Sequence, residues 1–352
     1  MKRLINIITN KFLWITIITL GFFYWANYYI NMTSVVKQEV VAPKLKIARD
    51  LFGIDFPSPD WGWVVGEDGL IVHTKDQGQN WVVQQNDVIA NLVSVHFFNT
   101  KKGFAVGASG TLLATEDSGN TWEKKSTETD AFLNDISFPT HENGFVVAER
   151  GLILFTEDSG VTWQQNNSLF EDALPWMVPE LKSIYFASPE SGWIVGEFGT
   201  VLSTVDGGKS WNKKDLGTDD TLYDVNFFDR DNGYIVGVQG ILLATEDGGQ
   251  TWHKDKTYKR NSDLYKIIYR DQKAKTPVYI AGRGEFIFKP NENARFRSVM
   301  VESFDIRYTW IYGVAFVDTT HAYAVGKSGL ILHITRGEGD VWGELDYNLR
   351  LN

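Results

Sequence analysis

The chain has 352 residues, a formal net charge of −10 and no cysteine. The acidic balance argues against a nucleic-acid partner, because phosphate binding needs a basic surface, and the missing cysteine excludes disulfides, thiol catalysis and cysteine-ligated metal sites. Hydrophobic residues at 43% and aromatic residues at 14% supply a large core, while 32 Gly against 9 Pro suits short strands joined by tight turns.

The first element is apolar. Residues 12–36 carry no charge, and Phe12 to Ile30 is a mostly apolar run close to the ~20 residues a helix needs to cross a bilayer. Lys2, Arg3 and Lys11 precede it, which places the N-terminus in the cytoplasm and the rest outside; Tyr24, Trp25, Tyr28 and Tyr29 suit the far interface. A cleaved signal peptide is the competing reading, but Trp25-Ala26-Asn27-Tyr28 is a poor small-x-small site. Residues 1–30 are therefore expected to be a single-pass anchor in an inner or thylakoid membrane. Residues 31–50 are a linker with Lys37, Glu39, Pro43, Lys44 and Lys46, and the chain beyond it is expected on the periplasmic or lumenal side.

From residue 51 the sequence repeats. Gly62-Trp63-Val64-Val65-Gly66-Glu67-Asp68-Gly69 recurs from Gly103, Gly144, Gly192 and Gly233, with weaker copies through Tyr279–Gly282 and Tyr323–Gly326. The equivalent positions Gly66, Gly107, Ala148, Gly196, Gly237, Gly282 and Gly326 are 41, 41, 48, 41, 45 and 44 residues apart, a period typical of propeller blades. Each copy holds a first apolar run (Leu51 to Phe56 and those from Leu92, Leu133, Leu181, Leu222, Leu264 and Ile311) and then the aromatic-x-Val-Gly run. A Leu/Ile-rich run such as Thr111 to Thr115 comes third, then a run beginning at a Trp. Such runs are too short for helices. The expected fold is all-β: a seven-bladed β-propeller of four-stranded blades over 51–352, preceded by one transmembrane helix. The Gly-x-x-Gly turn after the second run uses glycine for its φ > 0 freedom. Either Ala42 to Ala48 or Leu345 to Asn352 could close the ring.

Between the third and fourth runs lies Thr115-Glu116-Asp117-Ser118-Gly119-Asn120-Thr121-Trp122. It resembles the Asp box of sialidases and many other propellers. Copies end at Trp81, Trp163, Trp211 and Trp252, with the carboxylates Asp76, Asp117, Asp158, Asp206 and Asp247. Each carboxylate can accept backbone N–H bonds within its turn, and each Trp should pack between neighbouring sheets. These are expected to be structural turns rather than catalytic sites. Copy six has Asn291 and Phe296 at the Asp and Trp positions; copy seven keeps Trp342 but loses the Asp.

Strand order puts the Gly-x-x-Gly turns and the inter-blade loops on one face and the Asp boxes on the other. The extended loop Asn166 to Glu180 carries Phe170, Leu174, Trp176 and Met177, which either form a contact surface or fold onto their own blade. Arg150, Glu197, Phe198 and Arg283 sit on turns of the same face and complete the candidate partner-binding set. The third positions of the first runs are Gly53, Ser94, Asp135, Ser183, Asp224, Lys266 and Gly313. If those runs are innermost, Asp135, Asp224 and Lys266 line the channel, where they bind a ligand or hydrogen-bond the next blade.

No constellation of catalytic residues emerges. A sialidase needs three clustered Arg, an acid and a nucleophile pair, yet only Arg150 and Arg283 fall on turns of the candidate face, and the Arg-Ile-Pro opening of those families is absent. Glu67, Glu149 and Glu197 share one turn position, which fits a repeat feature. His73 and His333 share a position held elsewhere by Ala114, Phe155, Ser203 and Ala244, a mix that indicates packing. Asp229 to Gly233 reads as a turn rather than a calcium loop. Neither a metal nor a cofactor is expected, and the chain is read as a non-enzyme, with a glycoside-binding or glycosidase propeller as the alternative.

The repeat from 51 to 345 resembles the photosystem II stability/assembly factor family. The residues that carry the resemblance are the repeated Gly-aromatic-x-Val-Gly-x-x-Gly-x-Leu-Leu-x-Thr-x-Asp-Gly-Gly-x-Thr-Trp, best seen in Ile235 to Trp252. The resemblance implies a non-catalytic lumenal or periplasmic propeller that binds membrane-protein partners during assembly. Those partners belong to a photosynthetic complex or, in non-photosynthetic relatives, to a transporter. An Arg-rich patch of the photosynthetic members has no match; Arg295, Arg297 and Arg307 cluster only in sequence.

Overall fold

The computed structural model describes residues 48–166, 168–269, 278–290, 294–299 and 305–335. The expected anchor, most of the linker, Asn291, Trp342 and both candidate closing strands lie outside them. Among the described residues no helix is long and apolar enough to cross a membrane.

Seven antiparallel meander sheets succeed one another along the chain, six with four strands and the seventh with three among the described residues. Blade 1 consists of Leu51–Asp55, Gly62–Gly66, Ile71–Thr74 and Val82–Gln84. The later blades begin at Leu92, Leu133, Leu181, Leu222, Leu264 and Ile311. Each first strand packs against the first strand of the next blade, and Ile311–Phe316 packs against Leu51–Asp55, so the first strands form the inner ring. Fourth strands begin one residue after the Asp-box Trp (Val82, Glu123, Gln164, Asn212, His253), so the Trp ends the turn rather than opening the strand.

The core is divided rather than central. Seven apolar clusters form, one at each blade–blade junction. A strand sends successive side chains to opposite faces, and here both faces are covered. Val64 therefore enters the blade 7–1 cluster while Trp63 and Val65 enter the blade 1–2 cluster. This explains why the second strands are apolar at every position instead of alternating; Gly62–Gly66 is buried throughout. Trp81 joins the 7–1 cluster against Tyr323, and Trp122 meets Phe97 edge-on at the 1–2 junction. The boxes thus lock each blade to the one before it.

The two glycines of the Gly-x-x-Gly turn serve different ends. Gly69 has φ 68° and is preceded by Asp68 at φ 53°, so the left-handed stretch is shared with a non-glycine residue. Gly66 is extended, with φ −162°, and corrects the expectation that it too is present for φ freedom. A Cβ there would come within 2.3 Å of the Asp50 carbonyl oxygen, so it is required by close approach.

Candidate functional site: the loop face and the channel

The Asp boxes form as the sequence implied. In blade 2, Asp117 Oδ1 accepts from Thr121 N at 2.9 Å and from Thr115 Oγ1 at 2.9 Å, while Asp117 Oδ2 accepts from Thr121 Oγ1 at 2.8 Å. Asp76, Asp158, Asp206 and Asp247 repeat the pattern. Thr115, not singled out in the sequence, is buried and also accepts from Gly119 N at 2.8 Å. The hydrogen bonds of Thr162, Ser210 and Thr251 hold Asp158, Asp206 and Asp247 down at about 2. These carboxylates are committed within their own turns.

The first strands line the channel, and their third residues form a chain of contacts. Ser94 Oγ donates to Asp135 Oδ1 (2.8 Å). Ser183 Oγ lies 3.1 Å from Asp135 Oδ2 and 2.7 Å from Asp224 Oδ1, and Lys266 Nζ lies 3.2 Å from Asp224 Oδ1. Backbone donors of the next blade complete both carboxylates: Ile184 N to Asp135 (3.1 Å) and Ile267 N to Asp224 (2.7 Å). Burial pushes the Asp224 carboxyl up against the pull of Lys266. The set therefore ties blades 2 to 6 together around the axis.

The second positions were not singled out in the sequence. A register shift interrupts each first strand between its first and third residues, and such a bulge re-aims a side chain. Phe52, Tyr312, Tyr265 and Tyr223 make an aromatic arc, with successive centroids 5.4, 5.7 and 5.2 Å apart. Burial, reinforced by Asp263, pushes the Tyr265 phenol up to about 12. Trp310 continues the arc, 6.1 Å from Tyr312, with Arg283 (5.3 Å) and Lys327 (4.6 Å) over its ring. The equivalent residues of blades 3 and 4 are polar: Asn134 Nδ2 donates to Glu180 Oε1 (2.9 Å), and Lys182 pairs with the other oxygen of the same carboxylate, Oε2.

The sequence-derived contact residues separate into two groups. Trp176 (74% exposed), Met177, Leu174 and Phe198 (51%) stand out on the loop face, joined by Ile89 and Tyr308. Phe170 is half-buried in the blade 3–4 junction and lies over Gly151, anchoring the long loop. Glu197 Oε2 accepts from Glu180 N (3.2 Å), as Glu67 does from Asp50 N (2.8 Å). Arg150 is paired with Asp130 and Glu149, each at 2.8 Å, and stands three blades from Arg283. His73 is buried among Trp61 and Trp63, and burial together with nearby Lys75 lowers it to about 4. Asp229 caps its own turn through Asn232 and the Asp231 N–H. Among the described residues no group of three or more His, Asp or Glu is placed to hold a metal.

These features define a seven-bladed Asp-box β-propeller with a half-aromatic channel mouth and an apolar loop face. A family model described as Photosynthesis system II assembly factor YCF48 matches residues 31–125, 82–167, 115–217 and 211–303, and the chain belongs to that family. No curated protein sequence matches the chain. Among solved structures, YCF48 bound to D1 peptide is similar at TM-score 0.67 and 17% identity, covering 85% of this chain and 96% of that one. YCF48 from Cyanidioschyzon merolae is similar at TM-score 0.65 and 19% identity, covering 84% and 97%. The GH74 xyloglucanase from Xanthomonas campestris shares the fold at TM-score 0.69 and 12% identity, covering 88% of this chain and 55% of its own. At such identities the structural likeness speaks for the fold.

Proposed function

We propose that the chain is a non-catalytic, membrane-tethered propeller that acts as a scaffold or assembly and stability factor, holding a segment of an integral membrane protein against its loop face. The observation that carries this reading is the concentration of exposed large apolar side chains there: Leu174, Trp176, Met177, Phe198, Ile89 and Tyr308, against Val82, Val161 and Val205 elsewhere. Exposed apolar groups on loops held by a rigid scaffold are the usual chemistry of a contact surface. The similar YCF48 structure holds a D1 peptide, which supports a peptide segment as the bound unit here. Tethering by Phe12 to Ile30 would place this face beside a photosynthetic complex or a transporter on the periplasmic or lumenal side.

Crosslinking and pull-down of the full chain from native membranes tests the reading. Wild type should recover integral membrane proteins, and the Trp176→Ser/Phe198→Ser variant should lose them while keeping its melting temperature. Recovery of no membrane protein would overturn it. The glycoside-binding alternative calls for free carboxylates in the channel. Asp135 and Asp224 are instead engaged in inter-blade hydrogen bonds.

A further inference from the structure

An open recess of about 320 Å³ lies at the outer rim between blades 5 and 6. Its walls come from two stretches distant in sequence, the loop 256–260 and the fourth strand of blade 6 with Arg295 and Phe296 before it. Four cations, Lys256, Lys259, Arg260 and Arg295, line it, and among the described residues no carboxylate does, in a chain whose net charge is −10. Arg260 is held in place, its guanidinium donating to Glu285 at 2.6 Å and to Ser298 Oγ at 3.0 Å. Glu285 is buried and also accepts from Ser262 at 3.2 Å, so its charge is compensated behind the wall.

The floor of the recess is aromatic and apolar. Tyr258 is 7% exposed, and its hydroxyl is buried beside that of Ser262, so the ring is what it offers to the recess. The Ser262 hydroxyl donates to Glu285 and keeps its oxygen as an acceptor for the Tyr258 hydroxyl. The ring of Tyr258 meets Phe296 edge-on at 6.4 Å, and Ile287 completes an apolar surface beneath the cations.

We propose that this recess binds a phosphoryl group carrying an organic substituent. A phosphate ester presents several acceptor oxygens to the surrounding ammonium and guanidinium donors, and the volume beyond the phosphate accommodates its substituent against the Tyr258–Phe296 surface. A soluble phosphomonoester and a phospholipid headgroup share this chemistry. The recess lies apart from Trp176 and Phe198, so its failure would leave the partner reading untouched.

The test uses the full chain in non-ionic detergent. Glycerol 3-phosphate is titrated calorimetrically, and a photoactivatable phosphatidylglycerol in the same micelles reports lipid contact by peptide mapping to 256–260 and 295–298. The Lys259→Gln/Arg295→Gln variant should weaken binding at least about tenfold through lost charge-assisted hydrogen bonds. Lys101→Gln/Lys124→Gln, exposed lysines on blade 2, should change nothing. Binding of the soluble ester names a metabolite-like ligand; crosslinking by the lipid alone names a headgroup. No binding of either probe up to about 10 mM, or equal loss in the blade 2 control, would overturn the assignment.

Discussion

Lys289 Nζ donates to Asp255 Oδ2 at 2.9 Å, with both side chains buried, where the repeat of blade 6 departs from the Asp-box pattern. Lys289 pairs with Val278 as Thr74 pairs with Gly62, so it occupies the Thr position of the box. Asp255, beside the outer strand of blade 5, stands where blade 1 has Gln84, which donates to Ser118 O of the next box at 2.7 Å. An ion pair thus replaces a neutral hydrogen bond as the clamp between outer edges. Burial alone would raise the Asp255 carboxyl; the bonds from Thr257 and Lys289 hold it below its ordinary value.

Breaking that pair from one side strands a buried charge. We expect Lys289→Met to lower stability by about 3–5 kcal/mol in urea unfolding, and Lys289→Met/Asp255→Leu to recover most of the loss, because removing both charges removes the uncompensated one. Equal losses in the single and double variants would show that the ammonium contributes packing alone.

Ser183 offers a second cut, at the channel. Its hydroxyl lies between Asp135 and Asp224 at 3.1 and 2.7 Å and is almost fully buried. Ser183→Ala removes that link, whose single proton serves one carboxylate at a time, at a cost of about 1–3 kcal/mol. Ser94→Ala should cost less, since Ser94 is half-buried and serves only Asp135. Chemical denaturation of both variants ranks them.

The legible part of the fold is the part that repeats. Gly66, Trp81 and Asp76 recur at blade spacing, so the blades, the boxes and the opposition of the two faces could be placed. The third-position ring could also be placed from strand order. The aromatic arc could not, because the bulge between Tyr312 and its neighbours overrides simple alternation, and Phe52, Tyr312, Tyr265 and Tyr223 share their position with Val93, Asn134 and Lys182. Lys289–Asp255 was hidden because each departs from a different repeat element, and only packing of adjacent blades brings them together. The basic recess was hidden for the same reason, with Lys259 and Arg295 separated by most of a blade of sequence.

The two glycines of one turn should respond to alanine differently from what their sequence similarity suggests. Gly66→Ala keeps an acceptable φ but drives a methyl against the Asp50 carbonyl, which should cost about 1–3 kcal/mol by overpacking. Gly69→Ala meets the Val88 carbonyl and adds a left-handed φ of 68°, so it should be the more damaging of the pair. Thermal melts of the two variants side by side decide the order.

Acid should weaken the fold through the Asp boxes. Asp158, Asp206 and Asp247 are held at about 2 by hydrogen bonds to their charged form, and Asp76 and Asp117 are also lowered. A carboxylate lowered in the fold contributes stability that is fully present above the unfolded value of about 4, and this is lost as pH falls through the folded value. Asp55 and Asp224 act in the opposite sense, since burial raises both and protonation relieves it. The lowered groups, joined by Asp255 and Asp318, predict a melting temperature that falls between about pH 4 and about pH 2, whereas the raised pair acts only above about pH 4. Exposure of the boxes to solvent keeps each share small. Asp158→Asn should lower the melting temperature at neutral pH and flatten the slope below about pH 4, whereas Asp224→Asn should leave that slope unchanged. A slope unchanged by Asp158→Asn would show that the acid sensitivity resides outside the boxes.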